Sequence, residues 1–276
     1  MEYTNLLLQE HYKSAIEYVG DSNKIVATCL YGSQNYGLQN EFSDVDTKTF
    51  VIPTVKELLN YKQVSIQING DQYGGLNDVK HISLMCDNFL KQNINFLEIL
   101  YTPFEVVNPL YEELFNELKS QRDFISGANI RRTMHASAGM ASQKFHALKH
   151  PYASKKEVLD NYGYDPKQLA SLLRLFYFIK TYLKTRNFMA SITPEGEFKD
   201  FIMSVKAGSL PLVSAENIAV RTMTNITSLI HEEVDSKIEV DNERVAEAKK
   251  FLDNWCEKVM LKSLSYEFGG KVNGFN

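Results

Sequence analysis

The chain of 276 residues is 44% apolar and 23% charged, as is typical of a globular protein with a buried core, and its formal net charge of −4 argues against a broad nucleic-acid-binding surface. No apolar run is long enough to cross a bilayer and the first residues do not resemble a signal peptide, so we expect a soluble, cytoplasmic protein without a membrane partner. The three cysteines lie far apart without Cys-x-x-Cys spacing, which argues against a zinc site and favours reduced, buried thiols.

Residues 1–126 alternate between helical and strand periodicity, which predicts a mixed α/β domain. Polar and glycine-containing segments separate the predicted elements and supply turns at Asn69-Gly70-Asp71 and Gly74-Gly75. The predicted elements are a helix over 6–19, strands over 24–31, 47–52, 64–68 and 76–82, and helices over 84–92 and 109–118.

From about Ile130 onward the periodicity is helical, with a loop of no clear periodicity around 150–163. Apolar residues recur at steps of three or four over 134–148 and 169–183, and a last helix begins at Asp241 as its N-cap and continues to about residue 259. The expected fold is therefore α+β: a short mixed sheet with flanking helices, followed by a helical domain, with the boundary near Ser126-Gly127.

A glycine and a serine directly follow the first predicted strand. Gly32 lets the backbone approach a phosphate closely because it has no side chain, and Ser33 adds a hydroxyl beside exposed backbone N–H groups. This pair predicts a phosphate-binding turn at the end of the strand.

Ten residues separate Ser33 from an acidic pair, Asp44-Val45-Asp46, which leads into the second predicted strand. Alternate side chains of a strand share a face, so Asp44 and Asp46 are expected to point the same way while Val45 enters the core. Two carboxylates that share a face suit Mg²⁺, or Mn²⁺, which prefers carboxylate and phosphate oxygens. Asp78 is the candidate third ligand, because a strand reached through a hairpin can lie beside the Asp44 strand.

The Gly-Ser, spacer, Asp-x-Asp pattern resembles the signature of nucleotidyltransferases of the DNA polymerase beta superfamily. Beyond it, residues 78–84, 93–100 and 162–175 are similar to predicted nucleotidyltransferases of bacteria and phages, some assigned to an RNA-repair pathway. The resemblance covers about two thirds of the chain. It implies a triphosphate held by Gly32 and Ser33, and metal ions held by Asp44, Asp46 and Asp78.

Lys48 follows the acidic pair by two residues, so strand alternation places it on their face. Its ammonium group is expected either to contact the triphosphate or to neutralise Asp46. Glu98, within an apolar helix-like run, is interpreted as a structural residue that is either exposed or paired.

The charge is unevenly distributed along the chain. Residues 1–130 contain 17 acidic and 9 basic side chains, whereas residues 131–186 contain 3 acidic and 11 basic ones. Within this basic segment, helical geometry places Lys167 and Arg174 together, opposite the apolar positions of their helix. They are candidate nucleotide-phosphate ligands, although basic residues also populate ordinary solvated faces.

These features predict a metal-dependent nucleotidyltransferase that moves a nucleoside monophosphate from a nucleoside triphosphate to an acceptor hydroxyl and releases pyrophosphate. The acceptor is the end of an RNA, a protein side chain or a small molecule. The alternative is a non-catalytic nucleotide-binding or antitoxin-like module on the same fold. Sugar-transferring enzymes also use Asp-x-Asp, but their chemistry gives no reason for Gly32-Ser33.

Overall fold

The computed structural model describes residues 2–41, 43–69, 75–150 and 156–269. The chain forms two compact units, a sheet unit of Met1–Asn35, Gln39–Ala128 and Asp241–Asn276 and a helical unit of Tyr36–Leu38 and Asn129–Val240. The division after Ala128 lies close to the boundary expected at Ser126-Gly127. The final helix nevertheless groups with the sheet unit, although its periodicity had placed it in the helical domain.

The first part of the chain supplies the sheet and the helices around it. Three short 3-10 turns, at Ser22–Lys24, Glu98–Leu100 and Pro109–Tyr111, connect these elements. In chain order the elements are α1 (Glu2–Val19), β1 (Ile25–Tyr31), β2 (Asp46–Val51), α2 (Val55–Leu59), β3 (Ser65–Asn69), β4 (Leu76–His81), α3 (Ile82–Leu90), α4 (Ile94–Leu97), β5 (Glu105–Val107), α5 (Glu112–Ser120) and α6 (Arg122–Ser126).

The remaining elements are helical. A π-helical segment, Ile230–Asp235, follows α12 directly. These helices are α7 (Ile130–Ala147), α8 (Lys156–Tyr162), α9 (Pro166–Thr185), α10 (Phe188–Ile192), α11 (Gly196–Lys206), α12 (Leu212–Leu229) and α13 (Asn242–Glu267). Asp241 caps α13 by accepting the Arg244 N–H, as predicted.

The five strands form one mixed sheet in the order β3-β4-β2-β1-β5. β1 pairs antiparallel with β2 and β5, β4 pairs antiparallel with β3, and β2 and β4 are parallel. β1 lies in the interior of the sheet, and six of its seven residues are buried, which explains why its sequence is almost continuously apolar.

Helices cover both faces of the sheet. On one face, Ala15 of α1 packs with Ile25, Val51 and Val79 from three neighbouring strands. On the other face, the Phe50 ring contacts the rings of Phe89, Phe115 and Trp255, which belong to α3, α5 and α13. Because strand residues alternate, Asp46 and Lys48 share the face of Phe50.

The helical unit is built around α9, against which α7, α10, α11 and α12 pack. Asp165 caps α9 by accepting the N–H groups of Lys167 and Gln168, and Pro166 occupies its first turn. Of the stripe predicted at steps of three and four, Leu169, Leu172 and Leu173 are buried, whereas Phe176 and Leu183 are partly buried.

The predicted fold class, α+β with a short mixed sheet, flanking helices and a helical segment, is confirmed. Each predicted strand is present, with no end shifted by more than one residue, whereas β5 and α2 were not predicted. Of the two predicted turns, residues Gly70 and Asp71 of the first and Gly74 of the second lie outside the described residues. In the part of the chain that the structure describes, no helix has both the length and the apolar character that a bilayer crossing requires.

Candidate functional site

The turn after β1 brings the backbone close to an acidic side chain. Gly32 has a φ of +87°, in the left-handed region that favours glycine, and a Cβ built on it would lie 3.6 Å from Asp46 Oδ2. The Asn35 N–H donates to the Gly32 carbonyl at 2.9 Å and closes the turn. The predicted Gly32-Ser33 motif and Asp46 therefore meet at one end of the sheet.

Antiparallel pairing explains this meeting. β1 ends at Tyr31, β2 begins at Asp46, and these two residues are register partners. The Leu76 N–H, at the start of β4, donates to Asp46 Oδ1 at 3.0 Å. Asp46 is thus oriented where β1 ends and where β2 and β4 begin.

Asp44 lies outside β2, which begins two residues later. Strand alternation therefore does not fix its direction, contrary to the geometry assumed from the sequence. Val45 is buried against Leu7 and Leu30, as predicted, so two partly or fully exposed carboxylates flank a core residue. Just before the pair, the Ser43 N–H donates to the Asn40 carbonyl at 3.0 Å.

Gly75 supports the acidic pair from the start of β4. Its φ is +92°, and a Cβ placed on it would lie 2.3 Å from the Val45 carbonyl oxygen. Only glycine allows this approach of two backbones. The backbone of Val45, and with it the spacing of its two acidic neighbours, is held against Gly75.

Asp78 lies on the same sheet face as Asp46 but is engaged by two lysines. It is the register partner of Lys48, and Lys48 Nζ lies 2.9 Å from Asp78 Oδ2. Lys80 Nζ lies 2.8 Å from Asp78 Oδ1. Lys48 therefore neutralises Asp78, whereas the sequence had offered Asp46 or the triphosphate as its partner.

The Lys48 ammonium group is almost completely enclosed. It lies 4.0 Å from the centre of the Tyr31 ring and 3.9 Å from that of the Phe96 ring. Burial lowers the pKa of Lys48, while the nearby Asp78 and Glu98 carboxylates oppose that shift. The two rings and two carboxylates together stabilise a cation at this buried position.

Glu98 joins this site, although only a structural role was expected for it. Its side chain is 1% exposed, and its Oε1 accepts the Gly32 N–H at 3.3 Å. Its main-chain carbonyl accepts the Asn35 side-chain amide at 3.3 Å. Glu98 thus holds both ends of the turn after β1. The sequence signal for Glu98 was its position as a lone acid within an apolar run, because a buried acid must find a partner.

Lys167 and Arg174, the predicted phosphate ligands, lie in the helical unit and differ in exposure. Lys167 is exposed, whereas Arg174 is buried, with its guanidinium carbon 4.4 Å from the centre of the Tyr36 ring. The alternative interpretation, an ordinary solvated face, does not describe Arg174, because Arg174 is buried and the Tyr36 ring lies over its guanidinium group. Burial, followed by the charges of Arg174 and Lys167, lowers the pKa of Lys144. These cations are close neighbours, and phosphate binding by Lys167 and Arg174 stays a prediction.

The oxygen ligands at the end of the sheet fit a magnesium ion in part. Asp46 places one carboxylate beside the turn after β1, and Asp44 lies two residues before it in the sequence. Mg²⁺ is commonly held by one or two carboxylates plus substrate phosphates. Both Asp78 oxygens face ammonium groups. Among the described residues, no three histidine, cysteine or acidic side chains converge as a ready metal site. Water and phosphate oxygens would supply the remaining ligands of such an ion.

Comparison with known proteins does not identify a family for this chain. No family model matches the chain, and no curated protein matches its sequence. Among solved structures, the chain is similar to a nucleotidyltransferase-like protein from Exiguobacterium sibiricum 255-15, with 10% identity and a TM-score of 0.30 over 94% of this chain and 78% of that one. The functional assignment therefore rests on the residues of the site.

Proposed function

We propose that the sheet unit is a metal-dependent nucleotidyltransferase of the DNA polymerase beta type. The acceptor hydroxyl oxygen attacks the α-phosphorus of a nucleoside triphosphate, the bond to the β-phosphate oxygen breaks, and pyrophosphate leaves. The hydroxyl proton passes to solvent. The acceptor class is an RNA end, a protein side chain or a small molecule.

The meeting of Gly32 with Asp46 is the observation that supports this proposal most strongly. A phosphate-binding turn and a metal-binding acid must be adjacent for one polyphosphate to contact both, and Asp46 Oδ2 lies 3.6 Å from the position of a Cβ on Gly32. These residues are 14 positions apart in the sequence and are brought together by β1 and β2.

Each residue at this end of the sheet has a role in binding. Gly32 leaves space for a phosphate because a side chain there would project towards Asp46, and Ser33 offers its hydroxyl as a donor. Glu98 positions the turn through the Gly32 N–H. Gly75 positions the main chain between Asp44 and Asp46.

Asp44 and Asp46 are the proposed ligands of Mg²⁺ or Mn²⁺. When bound, two such ions supply charge neutralisation at the attacking and leaving oxygens. Asp78 stays the proposed third carboxylate, since it shares the sheet face of Asp46. Its oxygens must first leave Lys48 or Lys80. In that event the released ammonium group of Lys48 can contact the polyphosphate, which is one of the two roles expected for it from the sequence.

The direct test incubates the full chain with each of four α-labelled nucleoside triphosphates, MgCl₂ or MnCl₂, and acceptors of each class: single-stranded RNA, a mixture of proteins and small polyols. We expect metal-dependent release of pyrophosphate in equal amount to labelled monophosphate on one acceptor class. Chelation with EDTA abolishes both. A folded protein that releases no pyrophosphate under any of these conditions contradicts the proposal.

The same samples distinguish the non-catalytic alternative. A binding module holds a nucleoside triphosphate without hydrolysis or transfer, and its affinity does not depend on divalent metal. Equilibrium dialysis with and without EDTA measures this property. Tight, metal-independent binding without pyrophosphate therefore favours the binding module over the enzyme.

A further inference from the structure

Two cysteines far apart in the sequence are in contact within the sheet unit. Cys86 of α3 and Cys256 of α13 have their sulfur atoms 3.3 Å apart. α3 packs against α13, so the contact lies within a helix pair that covers one face of the sheet. A disulfide bond is about 2.05 Å long, so a movement of about 1.2 Å joins the two sulfurs.

We propose that Cys86 and Cys256 form a reversible disulfide when the protein meets a peroxide. The Cys256 sulfur attacks one peroxide oxygen and the O–O bond breaks. The other oxygen leaves as hydroxide or alkoxide and takes up the Cys256 thiol proton, and Cys256 becomes a sulfenic acid. The Cys86 sulfur then attacks the Cys256 sulfur, the S–O bond breaks, and the thiol proton leaves with hydroxide as water. Two electrons pass from the sulfur pair to the peroxide, and a dithiol reductant restores both thiols.

Exposure determines the order of these steps. Cys256 is partly exposed, whereas Cys86 is buried, so an oxidant in solution reaches Cys256 first. The hydrogen bond between Cys86 and Cys256, together with burial, raises the pKa of the Cys86 thiol. Cys86 therefore reacts as the resolving partner of an oxidised neighbour. Cys29, buried in β1, has no part in the reaction.

The disulfide has a structural consequence for the sheet unit. It closes a loop between positions separated by 170 residues and ties α13 to the helix that follows β4. A cross-link over such a long loop reduces the freedom of the unfolded chain. We expect the oxidised protein to melt higher than the reduced protein by roughly 5 to 10 °C.

The test treats the reduced full chain with a small excess of hydrogen peroxide, quenches with catalase, and counts thiols under denaturing conditions. The wild type is expected to fall from three thiols to one. Its mass is expected to fall by about 2 Da, the two thiol hydrogens, and to return with dithiothreitol. A non-reduced tryptic digest is expected to contain the peptide pair that joins positions 86 and 256.

Variants separate the proposed pair from general oxidation. Cys29→Ser should oxidise like the wild type and lose both remaining thiols. Cys86→Ser should leave Cys256 as a sulfenic or sulfinic acid, with added oxygen mass and no rise in melting temperature. Four outcomes would each overturn the proposal. They are retention of all three thiols by the wild type, a link to Cys29, an intermolecular dimer, and over-oxidised Cys256 beside a free Cys86.

Discussion

Lys48 and Asp78 form a buried ion pair across the parallel strands β2 and β4, with Nζ 2.9 Å from Oδ2. Their side chains are 3% and 7% exposed, so water hardly screens the interaction. The pair couples the strand that begins with Asp46 to the strand that supplies the candidate third carboxylate.

Removing one member of this pair is expected to destabilise the protein. Lys48→Met leaves Asp78 with Lys80 alone, and we expect the free energy of unfolding to fall by about 3 kcal/mol. Asp78→Leu should have a similar cost, because it leaves Lys48 buried without its nearest carboxylate. The double variant should recover most of the loss, since it leaves no unpaired charge of this pair. Urea denaturation measures all four proteins, and additive losses in the double variant would contradict the coupling.

Gly75→Ala tests the close approach of Gly75 to Val45. The new methyl group would overlap the Val45 carbonyl oxygen, so we expect a loss of at least 3 kcal/mol in the free energy of unfolding, about 1 to 2 from the positive φ and the rest from overlap. Gly20→Ala is the matched control, because Gly20 also has a positive φ, of +79°, but open space around it. Equal losses in the two variants would show that the overlap relaxes without cost.

The strands could be predicted because their sequence signals are local. β1 is an almost continuous apolar run, and Pro53 marks the end of β2, the second strand. β5 could not be predicted, because its three residues are fixed by pairing with β1 rather than by any pattern of their own. The packing position of α13 could not be predicted from the sequence either. Trp255 packs against Phe50, and periodicity identifies a buried face without naming the surface that buries it.

Glu98 is expected to act on substrate binding through the turn after β1. Glu98→Ala removes the acceptor of the Gly32 N–H, and we expect the KM for the nucleoside triphosphate to rise by about 10-fold or more with a smaller change in kcat. Glu98→Gln keeps a carbonyl acceptor at the same position and should stay within about 3-fold of the wild type. If both variants lose stability without a change in KM, the role of Glu98 is only structural.

His11 gives the stability a defined pH dependence. Its Nδ1 lies 2.8 Å from the Thr47 hydroxyl, and burial lowers the pKa of His11 below its ordinary 6.5 against a weaker opposing effect of Glu10. The unfolded chain therefore binds the proton more readily. This contribution to stability is present above pH 6.5 and is lost as the pH falls below it, by up to about 1.4 kcal/mol per pH unit for one proton.

His11→Gln removes the titrating imidazole, while the glutamine side chain can still reach the Thr47 hydroxyl. We expect its free energy of unfolding to fall less steeply below pH 6.5 than that of the wild type. His146→Gln, at an exposed position, is the control and should follow the wild type. Parallel curves for His11→Gln and the wild type would show that His11 does not contribute to the acid sensitivity.

The candidate site was only partly predictable from sequence. Gly32 and Asp46 could be assigned together because a turn after one strand and an acid at the start of the next meet when the strands pair antiparallel. The lysine partners of Asp78 could not be assigned, because they depend on the register of β2 against β4. The enclosure of Arg174 by Tyr36 joins residues 138 positions apart in the chain, which no local pattern indicates.

The most direct test of nucleotide transfer compares Asp46→Asn with Glu41→Gln in the pyrophosphate-release assay. Asn keeps an oxygen that accepts the Leu76 N–H, so the fold is expected to survive while the charge that binds metal is lost. Glu41 is an exposed acid of the same loop and serves as the matched control. We predict that Asp46→Asn lowers the metal-dependent rate by at least about 100-fold and that Glu41→Gln leaves it unchanged. Equal rates for the wild type and Asp46→Asn would contradict the account.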